Sequence, residues 1–386
     1  MMTNAAAPSR ADRLDRLPFT REHRRLLAGS GVGWALDAMD VGLISFVMAA
    51  LAVQWRLDAT TLSWVASTLV SEFAPARIRG RVVVALEAFW AVGWVLAAVI
   101  GYLVVPVDDD GWRWALALGA LPALYAAVVR FGLPESARFL EERGRLEEAE
   151  TVVRQFERAA GVPAPTAAAT TNPPRPDVRP RDLFAGTARR WTLSLWLVWF
   201  AVNFSYYGAF IWLPTLLVAS GMDLVRSFGF TLVITLAQLP GYGVAAVLVE
   251  RWGRRSTLST FLVGSAVAAV WFGTADTELT VLLGGMSLSF FNLGAWGALY
   301  ALTPEVYPTE LRATGAGWAA GFGRIASILA PLSVPFLRDS GGVALTFAAF
   351  AGFFALGAAA VWGLPERRGR PLEDQDVLQV VGTRVG

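Results

Sequence analysis

The 386-residue chain lacks cysteine and lysine and has a single histidine, and each absence narrows what the protein can do. Without cysteine there is no disulfide, no thiol nucleophile and no cysteine-bound metal. The one histidine, His23, lies in the polar N-terminal segment, so the sequence offers neither a histidine metal site nor a serine–histidine pair. We therefore expect no enzymatic activity, no cofactor and no metal site.

Charge is also scarce in this chain. Charged residues make up 17% of it and hydrophobic residues 55%, with a mean hydropathy of +0.48, whereas about 25% of the residues in a soluble domain are charged. The formal net charge of +2 is too small to indicate a nucleic-acid partner. This composition predicts a membrane protein.

Nine segments are each apolar and approach the length that crosses a bilayer, which is about 20 residues of helix. Because backbone polar groups in lipid must be satisfied within the segment itself, we expect all nine to be helices. The segments are 29–52, 82–105, 112–133, 191–218, 226–249, 256–274, 278–302, 313–337 and 343–364.

The charges of the connecting segments predict the orientation. Arginines cluster in the N-terminal tail and at 77–81, 251–255 and 367–370, whereas 108–110 is acidic. By the positive-inside rule the arginine-rich segments are cytoplasmic. This pattern requires a further crossing at 60–71, which spans only ~18 Å as a helix against a core of ~30 Å. The alternative is nine helices and one violation of the rule.

A hydrophilic segment divides the chain into two groups of helices. The predicted organisation is a cytoplasmic tail at 1–28, a reduced N-terminal bundle at 29–133, a central cytoplasmic loop at 134–190, a six-helix C-terminal bundle at 191–364 and a cytoplasmic tail at 365–386. Within the central loop, 134–150 predicts short amphipathic helices that end at Gly144. The stretch 162–181 is rich in proline, alanine and threonine and is typical of a linker.

Several motifs resemble those of a known transporter family. Four of them resemble the sugar-porter-like branch of the major facilitator superfamily: Pro134–Arg138, Glu250–Arg255, Pro304–Arg312 and Pro365–Glu373. Four more are similar to bacterial niacin (nicotinate) permeases, which are related to synaptic vesicle glycoproteins: Gly33–Gly42, Glu87–Trp94, Asn203–Gly208 and Phe291–Tyr300. The resemblance implies an all-helical carrier that binds its substrate between two helix bundles.

The chain departs from that family in its N-terminal half. The family has twelve helices, whereas residues 62–65 resemble the outer start of its second helix and 66–73 the cytoplasmic end of its fourth. The third helix and most of the second and fourth are therefore expected to be missing, either in the natural gene or through a recombination or gene-model artefact. The predicted fold is an all-α major facilitator fold with an incomplete N-terminal bundle and about 10 membrane helices, one of them short.

Three carboxylates within the apolar segments are candidates for proton coupling. Asp37 and Asp40 are three residues apart, on one helix face, roughly 16–21 Å into the bilayer when counted from Leu26. Glu87 lies about a turn and a half inside the following segment. Carboxylates at this depth are costly and are usually functional. The alternatives are a structural ion pair for the aspartates, and a cytoplasmic gate or a packing salt bridge for Glu87.

Arg324 is the candidate anion-binding residue. It lies ~18 Å into its helix and cannot readily lose its proton. It therefore requires Asp37, Asp40 or a substrate carboxylate such as that of nicotinate as its partner.

Polar and aromatic residues at similar depth would complete a substrate site, or would only join helices to one another: Asn203, Tyr206, Tyr207, Gln238, Asn292 and Trp90.

Two further predictions concern helix contacts. The resemblance implies that charged residues at the cytoplasmic ends of the helices form a latch that controls alternating access. The alternative is that the arginines among them only anchor the cytoplasmic side of the protein. In addition, Gly317 and Gly321 are four residues apart and predict close helix packing. The predicted gating residues are Glu250, Arg251, Arg254, Arg255, Glu305 and Arg312.

Together these features predict a monomeric carrier in the bacterial cytoplasmic membrane, with both termini cytoplasmic. It would take up nicotinate or a similar aromatic carboxylate together with protons by alternating access, with the bilayer and no nucleic acid as its other partner. One alternative is a carrier of another organic ion or a sugar. The other is a shortened membrane protein that no longer transports.

Overall fold

A computed structural model describes residues 10–55, 79–122, 124–125, 134–135, 137–163 and 180–366. The regular structure of these residues is entirely helical. The predicted crossing at 60–71, most of the linker and the C-terminal tail beyond residue 366 lie outside the described residues. The α-helices are α1 (Arg10–Asp15), α2 (Arg21–Trp55), α3 (Arg79–Leu103), α4 (Gly111–Leu118), α5 (Ala137–Glu142), α6 (Leu146–Ala160), α7 (Ala188–Ala219), α8 (Leu224–Leu236), α9 (Gln238–Arg251), α10 (Arg254–Gly273), α11 (Glu278–Leu302) and α12 (Thr309–Ala360).

Most of the predicted crossings coincide with described helices, but of the crossing predicted at 112–133 only α4 and residues 119–122 and 124–125 are described, and the rest of it lies outside the described residues. Among the described residues, six helical segments are long and apolar enough to span a membrane. Helices α8 and α9 together form the crossing predicted at 226–249, and α12 contains both of the last two crossings. The backbone of α12 is non-helical at Gly341 and Gly342, and Gly342 has a φ of 70°, a region that favours glycine. This kink separates the last two predicted crossings.

Helices α2 and α3 cross very closely at Gly93. A β-carbon at Gly93 would lie against the carbonyl oxygen of Ala35 and 2.7 Å from the β-carbon of Ala38. Close approach of this kind is typical of small residues between membrane helices. By contrast, a β-carbon on Gly317 or Gly321 would meet nothing within 4 Å. The prediction of close packing at that pair was therefore wrong.

We expect Gly93→Ala to destabilise the protein. The added methyl group would force α2 and α3 apart, and overpacking of this kind costs about 1–3 kcal/mol. The matched control is Gly352→Ala in α12, where nothing lies within 4 Å of the new β-carbon and the higher helix propensity of alanine should be neutral or stabilising. The midpoint of thermal unfolding in detergent would test this. An unchanged midpoint for Gly93→Ala would contradict the close crossing.

Helix α3 joins the N-terminal helices to the C-terminal six. It packs against α2 on one side and against α8, α9 and α11 on the other. Near one end of α3, a β-carbon at Gly229 of α8 would lie 3.4 Å from the ring of Tyr102, and near the other, a β-carbon at Gly297 of α11 would lie 3.1 Å from Val84. The α3 helix therefore contacts C-terminal helices along its length.

The N-terminal segment is bound to the central loop by buried ion pairs. Arg13 of α1 donates to Glu157 of α6 at 2.7 and 2.8 Å and to Glu150 at 2.9 Å. Arg10 donates to Glu150 and Glu141, both at 2.9 Å. Arg13 and Glu157 are only 5% and 3% exposed. Burial raises the pKa of Glu150, but hydrogen bonds from Arg13, Arg154 and Arg10 outweigh it and hold that pKa below its usual value.

Breaking these ion pairs should release α1. Removing one partner of a buried pair costs about 3–5 kcal/mol, so Arg13→Ala should accelerate hydrogen–deuterium exchange across residues 10–17. Exposed Arg16→Ala is the matched control and should leave exchange unchanged. Because the folded pKa of Glu150 is lowered, its stabilisation is present at neutral pH and is lost as the pH falls through that pKa, below about 4.5. A protection factor for α1 at pH 3, corrected for the slower intrinsic exchange at that pH, that equals its value at neutral pH would contradict this assignment.

Candidate functional site

A cluster of aromatic rings lies where the N-terminal helices meet the C-terminal ones. It comprises Trp34 of α2, Trp90 of α3, Tyr206 of α7, and Trp296 and Tyr300 of α11, and we call it the aromatic cluster. Ring centroids are 5.4 Å apart for Trp34 and Trp90, 6.4 Å for Trp34 and Tyr300 and 5.6 Å for Tyr206 and Trp296. The indole N–H of Trp90 donates a buried hydrogen bond of 2.8 Å to the hydroxyl of Tyr206. The cluster therefore provides flat apolar surfaces from both groups of helices.

Arg324 of α12 lies beside this cluster. Its Nη1 donates a 2.9 Å hydrogen bond to the hydroxyl of Tyr207, the neighbour of Tyr206. Asp37 and Glu87 are both close enough to Arg324 to interact with it electrostatically. Glu87 is 4% exposed and Asp37 is partly buried. The structure thus brings together one cation and two of the three predicted carboxylates, on three different helices.

Asp40 has a different environment. It is exposed, and its Oδ1 would lie 2.7 Å from a β-carbon placed on Gly119, just after α4. Asp40 therefore faces the α4 side of α2. It interacts electrostatically with Asp37 and is the least enclosed of the three candidate carboxylates.

Asn203 is engaged with its own helix and with α12. Its Nδ2 donates to the carbonyl of Trp199 at 2.7 Å, and its Oδ1 accepts a 2.8 Å hydrogen bond from Ser327. Ser327 lies one turn beyond Arg324, so Asn203 positions this part of α12. A direct contact between Asn203 and substrate remains a prediction.

Gln238 and Asn292 differ from Asn203. Both are fully buried, and within the described residues the amide nitrogen and oxygen of each have no hydrogen-bond partner. A buried amide without a partner costs about 1–3 kcal/mol. The N–H of Trp296 is likewise unpartnered there. A contact of Gln238 or Asn292 with substrate stays a prediction.

Three of the six predicted latch residues, Arg254, Glu250 and Glu305, meet at the arginine-rich end of the helices. The Nε of Arg254 lies 3.0 Å from Oε2 of Glu305, and its Nη1 lies 3.7 Å from Glu250. Glu366 accepts the backbone N–H groups of Arg254 at 3.4 Å and Arg255 at 3.0 Å, and so caps α10. The remaining two predicted residues are Arg251, which is exposed, and Arg312, one turn into α12.

Sequence reasoning missed several of these residues. Trp34 lies one turn before Asp37, and Tyr300 lies one turn after Trp296, so helical spacing could have indicated both. Ser327 lies one turn after Arg324, so helical spacing could have indicated it as well. Glu366 belongs to a motif that the sequence displays, but its contact with α10 spans more than a hundred residues and has no local signature.

Comparison with known proteins places this geometry in context. The family model described as "Sugar (and other) transporter" matches residues 57–378. The chain is 40% identical to the niacin transporter NiaP of Acinetobacter baylyi, with 83% of this chain and 89% of that protein covered. It is 38% identical to the putative niacin/nicotinamide transporter NiaP of Bacillus subtilis, covering 81% and 88%. It is 32% identical to the synaptic vesicle 2-related protein of Bos taurus, covering 80% of this chain and 59% of that protein.

Two further observations concern the fold and the length of the N-terminal half. The structure resembles that of the proton:xylose symporter XylE bound to 6-bromo-6-deoxy-D-glucose, with a TM-score of 0.60, 18% identity and coverage of 93% of this chain and 88% of that one. At this identity the likeness applies to the fold alone. The alignment with the Acinetobacter protein is 391 positions long but uses only 83% of this chain. That relative therefore has residues without a counterpart here, as an internal deletion requires.

Proposed function

Because the chain belongs to the sugar (and other) transporter family of the major facilitator superfamily, we propose that it carries nicotinate, or a similar small aromatic carboxylate, together with protons. Membership of this family makes the chain a multi-pass membrane transporter of a small molecule and not an enzyme. The observation that carries the finer proposal is Arg324 beside the aromatic cluster, in a chain that is 40% identical to a niacin transporter.

The chemistry of the site suits this substrate. Nicotinate has a flat aromatic ring, a carboxylate and a ring nitrogen that accepts hydrogen bonds. The ring would stack within the aromatic cluster, and the carboxylate would pair with the guanidinium of Arg324. The unpartnered amides of Gln238 and Asn292 would donate to the ring nitrogen. Tyr207, already bonded to Arg324, would orient the guanidinium.

The charges around Arg324 support proton coupling. Among the described residues, Arg324 interacts with the carboxylates of Asp37 and Glu87, and this group of three carries one excess negative charge when both acids are ionised. A proton on Glu87 removes that excess, and a substrate carboxylate arriving at Arg324 makes the proton more necessary. Glu87, the most buried of the three candidate carboxylates, is therefore our choice for the proton carrier. Asp37 would be the second carboxylate beside Arg324, and Asp40 is exposed on the surface of the protein.

The arginine-rich end of the helices would face the cytoplasm, with both termini on that side of the bacterial cytoplasmic membrane. The contacts of Arg254 with Glu250 and Glu305 would hold that end closed and would break when it opens. Substrate would bind near the middle of the membrane and be exposed to the two sides in turn. We propose that a monomer performs this cycle.

Uptake of labelled nicotinate would test the function directly. The chain would be expressed in transport-deficient cells, with membrane insertion verified and a protonophore as control. We expect saturable uptake that the protonophore abolishes. Unlabelled nicotinate should compete strongly, whereas nicotinamide, which lacks the carboxylate, and xylose should compete weakly. Competition by nicotinamide equal to that by nicotinate would exclude the proposed role of the carboxylate.

A second candidate is a membrane protein that no longer transports. It is favoured by the residues that the Acinetobacter relative has and this chain lacks. Because the chain has no cysteine, single introduced cysteines can be labelled without background from either side of the membrane. Accessibility from only one side under all conditions would support this candidate, and alternating accessibility would exclude it.

A further inference from the structure

A groove runs along the outer surface between α10 and the last part of α12. It has a volume of about 310 Å³ and an almost entirely apolar lining. Small alanines on α12 form one wall, and valines on α10 form the other. The lining residues that matter here are Ser259, Val263, Val267, Ala355, Ala359 and Trp362. Because both helices belong to membrane-spanning segments and the side chains of Val263 and Val267 are exposed, the groove opens toward lipid.

The arginine-rich end of the groove has a polar mouth. The indole N–H of Trp362 donates to the hydroxyl of Ser259 at 3.1 Å. The guanidinium of Arg255 lies 4.8 Å from the ring centroid of Trp362, and its Nη1 donates to the carbonyl of Leu364 at 3.3 Å. A tryptophan with one polar edge is typical of the interface between membrane and water.

Arg255 is a partly buried predicted latch residue, and no contact between its guanidinium and a carboxylate is found in the described part of the chain. Its Nε is buried without a hydrogen-bond partner there. Glu366, the nearby acid, directs its carboxylate to the backbone N–H groups at the start of α10. Two other arginines lie at the same end: exposed Arg251, and Arg190, whose Nε is 3.9 Å from the position of a β-carbon on Gly363.

We propose that this groove binds an anionic glycerophospholipid. One acyl chain lies between α10 and α12, along the alanines and valines. The lipid phosphate binds the guanidinium of Arg255, with Arg251 and Arg190 adding positive charge. A charged arginine that lies at headgroup depth next to an apolar groove matches both parts of such a lipid. The acyl chain of a zwitterionic lipid would fit the groove equally well, but its headgroup has no net negative charge to attract the arginines.

Lipid retention by the purified full-length protein would test the proposal without reference to transport. Native mass spectrometry would compare binding of phosphatidylglycerol and phosphatidylcholine with identical acyl chains. We expect the wild type to retain more phosphatidylglycerol, and Arg255→Gln to reduce that preference about fivefold. The matched control is Arg226→Gln, which removes an exposed arginine at the start of α8, away from the groove.

The acyl-chain part of the site is tested by filling the groove. Ala355→Phe should reduce retention of both lipids, whereas Val247→Phe, at an exposed position of α9 that does not line the groove, should not. Equal retention of the two lipids by the wild type, or an unchanged preference in Arg255→Gln, would overturn the proposal. So would displacement of phosphatidylglycerol by inorganic phosphate, which would indicate an anion site without a lipid. Each variant would first be shown to be monodisperse by gel filtration.

Discussion

Arg324→Ala should abolish saturable nicotinate uptake while leaving the protein inserted in the membrane. The substitution removes the only cation placed beside the aromatic cluster among the described residues, and hydrogen bonds to charged groups contribute about 1.5–3 kcal/mol each. Substrate binding should therefore weaken about 10- to 100-fold. In addition, the carboxylates of Asp37 and Glu87 would lose their positive neighbour. Both effects act on uptake and neither removes an apolar helix surface.

Two variants make this test specific. Arg338→Ala removes an arginine from the same helix, where the side chain is 41% exposed and lies 3.6 Å from Asp339, and it should leave uptake intact. Arg324→Lys keeps the charge but loses the planar fork that binds a carboxylate at two points, so we expect an intermediate KM. Wild-type kinetics in Arg324→Ala, with normal surface expression, would exclude Arg324 from substrate binding.

Glu87→Gln should uncouple transport from protons. Glutamine has the shape of glutamic acid but cannot release a proton, and Glu87 is buried on α3 within electrostatic reach of Arg324. We expect the variant to lose accumulation of nicotinate against a gradient, which in the wild type is driven by external acid. Exchange of internal for external nicotinate does not need net proton movement and should persist. The measurement is paired accumulation and counterflow across a range of external pH.

Asp40→Asn is the comparison for Glu87→Gln. It also removes an acidic group from a membrane helix, but Asp40 is exposed and faces Gly119 at the α4 side of α2. We expect Asp40→Asn to retain accumulation that depends on pH. If instead Asp40→Asn abolishes accumulation and Glu87→Gln does not, the proton passes through Asp40 and our choice of carrier is wrong.

The helices and the charged core of the site were accessible from the sequence because both depend on local properties. A helix must be apolar over its whole length to cross lipid, so α7, α10 and α11 were predicted nearly to the residue. Arg324 and Glu87 stood out because a charge in an apolar segment is rare. Neither inference requires knowledge of which helices are neighbours.

Contacts between distant helices were not accessible in the same way. Gly93 and Gly317 look alike in sequence, but only the face of α3 that carries Gly93 meets another backbone. Trp34 and Tyr300 join the aromatic cluster from different helices, and with 16 tryptophans in the chain a single ring carries little information. The capping of α10 by Glu366 depends on where the chain returns after α12. These features follow from the arrangement of helices in space.

The contacts of α3 have a consequence for the population of transport states. Tyr102 near one end of α3 faces Gly229, and Val84 near the other end faces Gly297. If α3 tilts as a rigid rod, the distance between Tyr102 and Gly229 increases as the distance between Val84 and Gly297 decreases, and the reverse. A bulky residue at Gly229 and one at Gly297 would therefore shift the equilibrium between the two open forms in opposite directions. In the proposed transport cycle, two glycines outside the Arg324 and Glu87 pair would therefore influence the balance between the two forms.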